Sequence, residues 1–281
     1  MKFERKPISL ILITLSLLII FTSCAFKTRH TSSSVVDYLY PDKEGVIETP
    51  SIPRLTLPLK VGVAFVPESR RRNRNLTERN KMDLMKNVSD HFKKHEFIKS
   101  IELIPSAYLS PKGSFANLNQ IKTMYGIDVI ALLSFDQSQF TDEGLASITY
   151  WTLVGAYIVP GEKNDTHTMM DAAVYDIQSK KMLFRAPGIS RIKSNATPVN
   201  LAEQKRLDSE KGFIEASKEL VTNLDLQLEM FKEKVTEAPK DYQIVHSPGY
   251  AGGGSLDASI IIVMSLLLGG YWIWKKTDKT A

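Results

Sequence analysis

The residues best equipped for chemistry are few, and their spacing argues against a familiar active site. His91 and His95 stand four apart, the interval that puts two imidazoles on one helix face within reach of a single zinc ion. A hydrolytic helix of that kind needs a glutamate directly after the first histidine as general base, and Phe92 stands there. The expectation is two surface histidines in a lysine-rich last turn, where positive charge suits the helix dipole. Arg70, Arg71, Arg72 and Arg74 form a run able to hold an anion, such as a phosphate or a lipid headgroup, through paired guanidinium N–H groups. The same run also suits a solvated loop leading into a helix. Asp128, Asp136, Asp142 and Asp171 are scattered along the chain. No serine occupies a nucleophile elbow, no phosphate-binding glycine loop follows a strand, and no Cys–His or Cys–Cys pair has metal spacing. No catalytic, metal or cofactor-binding residue is therefore assigned, and no cofactor is expected.

The two ends carry more information. Lys2, Arg5 and Lys6 precede an uncharged apolar run from Ile8 to Phe21, which ends at Thr22-Ser23-Cys24. A spanning helix wants roughly 20 apolar residues, so this shorter run has the length of a signal-peptide core. Cys24 is the sole cysteine, which excludes an intrachain disulfide. At the other end, Gly252-Gly253-Gly254-Ser255 precedes an apolar stretch from Ala258 to Trp274, closed by Lys275 and Lys276. Of the formal charge of +5, the ends hold +3 and residues 24–254 only +2. A basic balance of that origin is no argument for nucleic acid, and none is expected as a partner.

Between the ends, Phe26 to about Leu59 reads as a tether, polar at Thr31-Ser32-Ser33-Ser34 and interrupted by Pro41, Pro50, Pro53 and Pro58. Inside it, the apolar and aromatic stretch from Val35 to Tyr40 is expected to pack onto the domain. Lys60–Val66 reads as a buried strand. A helix follows from near Asn75, which has capping-box spacing to Glu78, and its stripe is Met82, Met85, Val88 and Phe92. Ile98–Ile104 is a second strand. Phe115, Leu118, Ile121 and Met124 mark a shorter helix stopped by Gly126, and Ile127–Leu133 is a third strand. Leu145–Val159, Thr168–Ile177 and Met182–Arg185 are strands, the last two joined by the turn Gln178–Lys181. Thr197 and Pro198 predict the start of a long helix striped by Phe213, Ala216, Leu220, Leu224, Leu228, Phe231 and Val235, ended by Pro239. Alternating strands and helices followed by hairpins predict a single α/β domain with a mixed sheet and about three helices over residues 60–238. Residues 239–254 then form a flexible Gly-rich stalk.

Three resemblances attach to these residues. Phe21-Thr22-Ser23-Cys24 resembles the bacterial lipobox, which implies removal of residues 1–23 by signal peptidase II and a diacylglyceryl group on Cys24. Acyl chains there anchor stably, each buried methylene adding roughly 0.8 kcal/mol. Ala25 in place of aspartate implies passage to the outer membrane in enteric-type sorting. Residues 255–281 with the preceding glycines resemble the GlyGly-CTERM signal of Gram-negative bacteria. In that family Gly252, Gly253, Gly254 and Ser255 correspond to the motif processed by rhombosortase, and Lys275 and Lys276 to the basic end. Its members commonly occur with type II secretion. Rhomboid-type proteases need a helix that unwinds, and glycines are poor helix formers. Asp257 departs from the family's usual small or apolar residue. Together the two ends look like those of the group called rhombotarget lipoprotein. More loosely, the middle, with Asp171–Ile177 leading to Met182-Leu183-Phe184, resembles the periplasmic domain of the curli secretion channel lipoprotein and the first domain of the Tol-system translocation protein.

These resemblances imply a non-enzymatic envelope lipoprotein, lipid-anchored at Cys24, cut near Gly254-Ser255, and presented at the outer membrane or cell surface as a binding or accessory module. Its implied partners are the membrane, the lipoprotein maturation enzymes, rhombosortase and the type II secretion system. A surface-sorted hydrolase and a permanently membrane-anchored scaffold are the alternatives.

Overall fold

A computed structural model describes residues 27–41, 51–68, 76–143 and 162–250. Its frame is a six-stranded mixed sheet with helices on both faces, the α/β single domain that the alternating pattern predicts. The strands are β1 (Lys27–Ser32), β3 (Leu59–Phe65), β4 (Ile98–Ile104), β5 (Val129–Glu143), β6 (Glu162–Asp176) and β7 (Met182–Ala196). Two further strands, β2 (Arg54–Leu57) and β8 (Gln243–His246), form a separate parallel pair. The helices are α1 (Val35–Leu39), α2 (Glu78–Phe92), α3 (Ser114–Tyr125) and α4 (Leu201–Glu237).

The order of the main sheet is β4-β3-β5-β6-β7. The chain steps from β3 through α2 to β4 on one side, then through α3 to β5 on the other. Right-handed crossovers taken in opposite directions place their helices on opposite faces, so the sheet is doubly wound. One core accordingly joins Val63, Val129 and Ala131 to α2 and α4. The other joins Ala64, Ile130 and Leu132 to α1 and α3.

β5 is twice the length read from sequence, and its two halves have different neighbours on one edge. Val129–Leu133 pair in parallel with β3, whereas Asp136–Thr141 pair antiparallel with β1. The junction is closed by the Ser33 N–H, which donates to the Phe135 carbonyl at 2.7 Å, and by the Phe135 N–H, which donates to Ser33 Oγ at 3.1 Å. No apolar alternation announces the extension in sequence, because its inward residues are Gln137, Gln139 and Thr141. They face the first half of α4. Gln137 Nε2 donates to the Ser209 carbonyl at 3.1 Å and Gln139 Nε2 to the Lys205 carbonyl at 2.8 Å, while Ser209 Oγ donates back to Gln137 Oε1 at 2.6 Å. Such a buried polar network fixes which turn of the helix sits over which strand.

Several expectations are corrected. The segment 26–59 is more than a tether, because β1, α1 and β2 belong to the fold; α1 brings the helix count to four. β8 likewise places part of 239–254 inside it. The cap of α2 is Thr77, whose Oγ1 accepts from the Asn80 N–H, and not Asn75. α4 begins at Leu201 with Asn200 as its cap residue, because Thr197 and its N–H bond the Asn200 side chain and hold 198–200 in a turn. The predicted strand Leu145–Val159 lies outside the described residues.

Candidate functional site

Most residues singled out above (Cys24, Arg70, Arg71, Arg72, Arg74, Gly252, Gly253, Gly254, Ser255, Lys275 and Lys276) lie outside the described residues. The two histidines do not share a helix face. α2 ends at Phe92, so His95 sits beyond it, its ring against Phe92 and Phe97 with centroids 5.9 and 5.1 Å apart. His91 instead points to α4, its Nε2 2.5 Å from Asp225 Oδ2. No group of three metal-binding side chains occurs among the described residues. Nor is any described helix long and apolar enough to cross a membrane.

Doubly wound sheets hold ligands in the crevice outside the carboxyl ends of the strands where the winding reverses, here between β3 and β5. There the described backbone pairs across the switch point. Ser33 bridges Glu68 just beyond β3, and the Val66 N–H donates to the Leu133 carbonyl at 2.9 Å. Beside it, the Lys81 side chain is 6% exposed, with Nζ 3.2 Å from Glu68 and 3.0 Å from Glu78, so its charge is matched internally.

A cavity of about 510 Å³ lies elsewhere, in the core between the sheet, α2 and α4. Its floor is built by alternation, since every second residue of a strand faces one side: Val61 and Val63 from β3, Val129 and Ala131 from β5, Val174 from β6. β7 adds two consecutive residues, Leu183 and Phe184, because Val174 pairs with Phe184 but Tyr175 with Met182, leaving Leu183 as a bulge. Val88 and Phe92 of α2 and Leu224, Leu228 and Phe231 of α4 form the walls. The roof is the β2–β8 pair, through Leu55, Leu57 and Ile244. The volume falls within the roughly 300–1,000 Å³ of small-molecule sites.

Two polar features interrupt this apolar lining. Ser89 lies on the buried stripe of α2 between Met85 and Phe92, is 0% exposed, and its Oγ finds no partner among the described residues. A buried hydroxyl without a hydrogen bond costs about 1–3 kcal/mol. At the half-buried end, Lys232 Nζ lies 4.9 Å above the Phe97 ring and 2.7 Å from Glu229 Oε1. His246, which stacks on Tyr250 at 5.9 Å, completes that rim. Sequence reading missed the site because a cavity has no residue type of its own. One signal was present: a serine at a stripe position of α2.

Titration beside the site has a definite sign. Burial holds His95 below the usual histidine range, with the charges of Lys232 and Lys94 adding to it against Asp225 and Glu229. Burial would raise Glu78, but hydrogen bonds from Ser106 and Lys81 outweigh it and hold the carboxyl low. The Arg191 hydrogen bond, against an opposing effect of burial, does the same for Asp165. A group with a depressed value in the fold takes up its proton more readily when unfolded. Each therefore contributes stability that is present above its unfolded value and is lost as pH falls. The thermal midpoint is expected to decline first below about pH 6.5, where the unfolded histidine titrates, and further below about pH 4.5. Thermal melts from pH 7.5 to 4 check this, and His95→Gln should flatten the upper part alone.

No family profile matches the chain, and no curated protein matches it. Among solved structures, a neuraminyllactose-binding hemagglutinin homologue from Helicobacter pylori aligns with 71% of this chain and 97% of its own, at 12% identity and a TM-score of 0.32. A likeness of that size carries no argument about fold or function.

Proposed function

We propose that this chain is a non-enzymatic, lipid-anchored module of the bacterial envelope whose domain binds an apolar ligand in the cavity between the sheet, α2 and α4. The observation that carries the reading is the cavity itself, apolar on floor, walls and roof. Empty space of that size forfeits the packing that stabilises an ordinary core, roughly 24 cal/mol for each Å³. A bound apolar molecule restores those contacts. The sequence supports the setting: the lipobox-like Phe21–Cys24 for anchoring, and Gly252–Ser255 before the apolar 258–274 for removal of the tail by a rhombosortase. A domain tethered at Cys24 meets membrane lipids at high local concentration, which favours a ligand drawn from that pool.

One experiment reads all of this. Native host cells are fed a fatty acid bearing a photoactivatable diazirine and irradiated, and the protein is digested for mass spectrometry. The expected result is an acylated Cys24 at the amino terminus, no peptide beyond Gly254, and crosslinks on the peptides holding Val88–Phe92 or Leu224–Phe231. Crosslinks confined to the apolar ends would overturn the cavity reading. Ser255–Trp274 still attached in cells with active rhombosortase would overturn the sorting reading.

A further inference from the structure

Resting on the apolar-ligand reading, we infer that the occupant is a lipid with one acyl chain and an anionic head, its tail in the closed end and its head against Lys232. Three observations lead there. The first is size. A cavity of about 510 Å³ lies within the roughly 300–1,000 Å³ of small-molecule sites and has room for an acyl chain.

The second is the gradient of burial along the cavity. Val63, Val88, Val129, Leu224 and Leu228 are buried, whereas Leu57, Phe97, Val235 and Ile244 are half-buried and His246 is exposed. A molecule with one apolar end and one hydrated end fits this polarity and can enter only tail first.

The third is charge. Among the lining residues Lys232 is the single one with a permanent charge, and it stands at the half-open end. Its stem packs with the apolar wall while the ammonium reaches the rim, over Phe97. Its partner Glu229 is one helical turn away, and both side chains are well exposed, at 41% and 62%. An exposed pair of that kind contributes little, so a ligand anion replaces Glu229 at small cost and gains a charge-assisted hydrogen bond. A carboxylate or a phosphate monoester satisfies this chemistry equally; a free fatty acid and a lysophospholipid of the phosphatidic type are its two sources.

The test uses full-length protein in its native envelope and two diazirine probes of equal chain length, one ending in a carboxylate and one in an alcohol. The carboxylate probe is expected to label the Leu224–Phe231 peptide, and Lys232→Met to lower that labelling about tenfold, the worth of one charge-assisted hydrogen bond. Lys232→Arg should retain it, and the alcohol probe should not respond to either variant. Competition with unlabelled palmitate against lysophosphatidic acid tells the two sources apart, and success of either supports the inference. Equal labelling by both probes with no effect of Lys232→Met would overturn the head assignment and leave an apolar-ligand site. Equal competition by a diacyl phospholipid would overturn the single-chain assignment. Labelling by neither probe at the cavity would overturn the underlying reading as well.

Discussion

Gly188→Val is expected to destabilise the domain by about 3 kcal/mol or more, at the upper end of what overpacking does, and to leave little folded protein at 37 °C. Gly188 lies mid-strand in β7 opposite Met170, where α4 crosses the sheet. A Cβ there would stand 2.1 Å from the Ala216 carbonyl oxygen and 2.6 Å from the Leu220 nitrogen. Both are helix backbone, so no side-chain rotation relieves the clash; α4 as a whole must lift. Lifting it would strip Phe213 from its edge-to-face contact with Phe135 and pull Ser209 away from Gln137. Gly212→Ala provides the contrast. It faces Thr168 Oγ1 at 2.5 Å, a side-chain atom, and alanine gains about 1 kcal/mol of helix propensity. Gly212→Ala should therefore cost clearly less than Gly188→Ala. Urea titrations of the detergent-solubilised protein, followed by far-UV circular dichroism, would show the order; equal effects would mean that α4 does not approach β7 this closely.

The second large effect is expected at Ala131. This residue sits near the start of β5, is 8% exposed, and forms part of the cavity floor between Val63 and Val174. Ala131→Phe places a ring in the closed end, where an acyl tail would lie. Filling a void restores contacts, so stability should rise by about 1 kcal/mol while ligand labelling falls at least about tenfold. The opposed signs make the result diagnostic, since a variant that merely misfolds loses both. Val174→Leu fills the same space with less risk of strain and should show both effects in smaller measure. Undiminished labelling in a stabilised Ala131→Phe protein would place the ligand outside this cavity.

How much of this was legible in the sequence depended on the distance between partners. Ile98–Ile104 is a strand over the residues that its apolar run predicts, and Gly126 stops α3 in the left-handed conformation at φ 64°. The hairpin turn at Gln178–Lys181 follows from local chemistry, with Lys180 at φ 62° and the Ser179 N–H donating to Asp176 at 2.9 Å. Short strands with remote partners were invisible. β2 and β8 have four residues each, β2 stands between Pro53 and Pro58, and their pairing joins Arg54 to Gln243. Four residues carry too little period to be read, and β propensity reflects packing more than sequence. The polar half of β5 was illegible for the opposite reason: its buried face is made of glutamines and threonine, whose hydrogen bonds to α4 no hydrophobic pattern announces. The cavity was least legible of all. Each strand around it has the apolar side chains of a filled core, and only their relative placement leaves a void.

The β2–β8 roof also has a consequence for the order of assembly. Its two strands are separated by nearly the whole domain, so it cannot close until His246 has been synthesised. Closing so long a loop is the slow, non-local kind of contact that forms late. Until then the floor and walls, all drawn from residues 59–236, stand open along one side. On the lipid reading proposed above, a tail would be laid in sideways during that interval, whereas afterwards it would have to pass Lys232 or wait for the ribbon to part. On the same proposed reading, loading before closure would be faster than unloading after it.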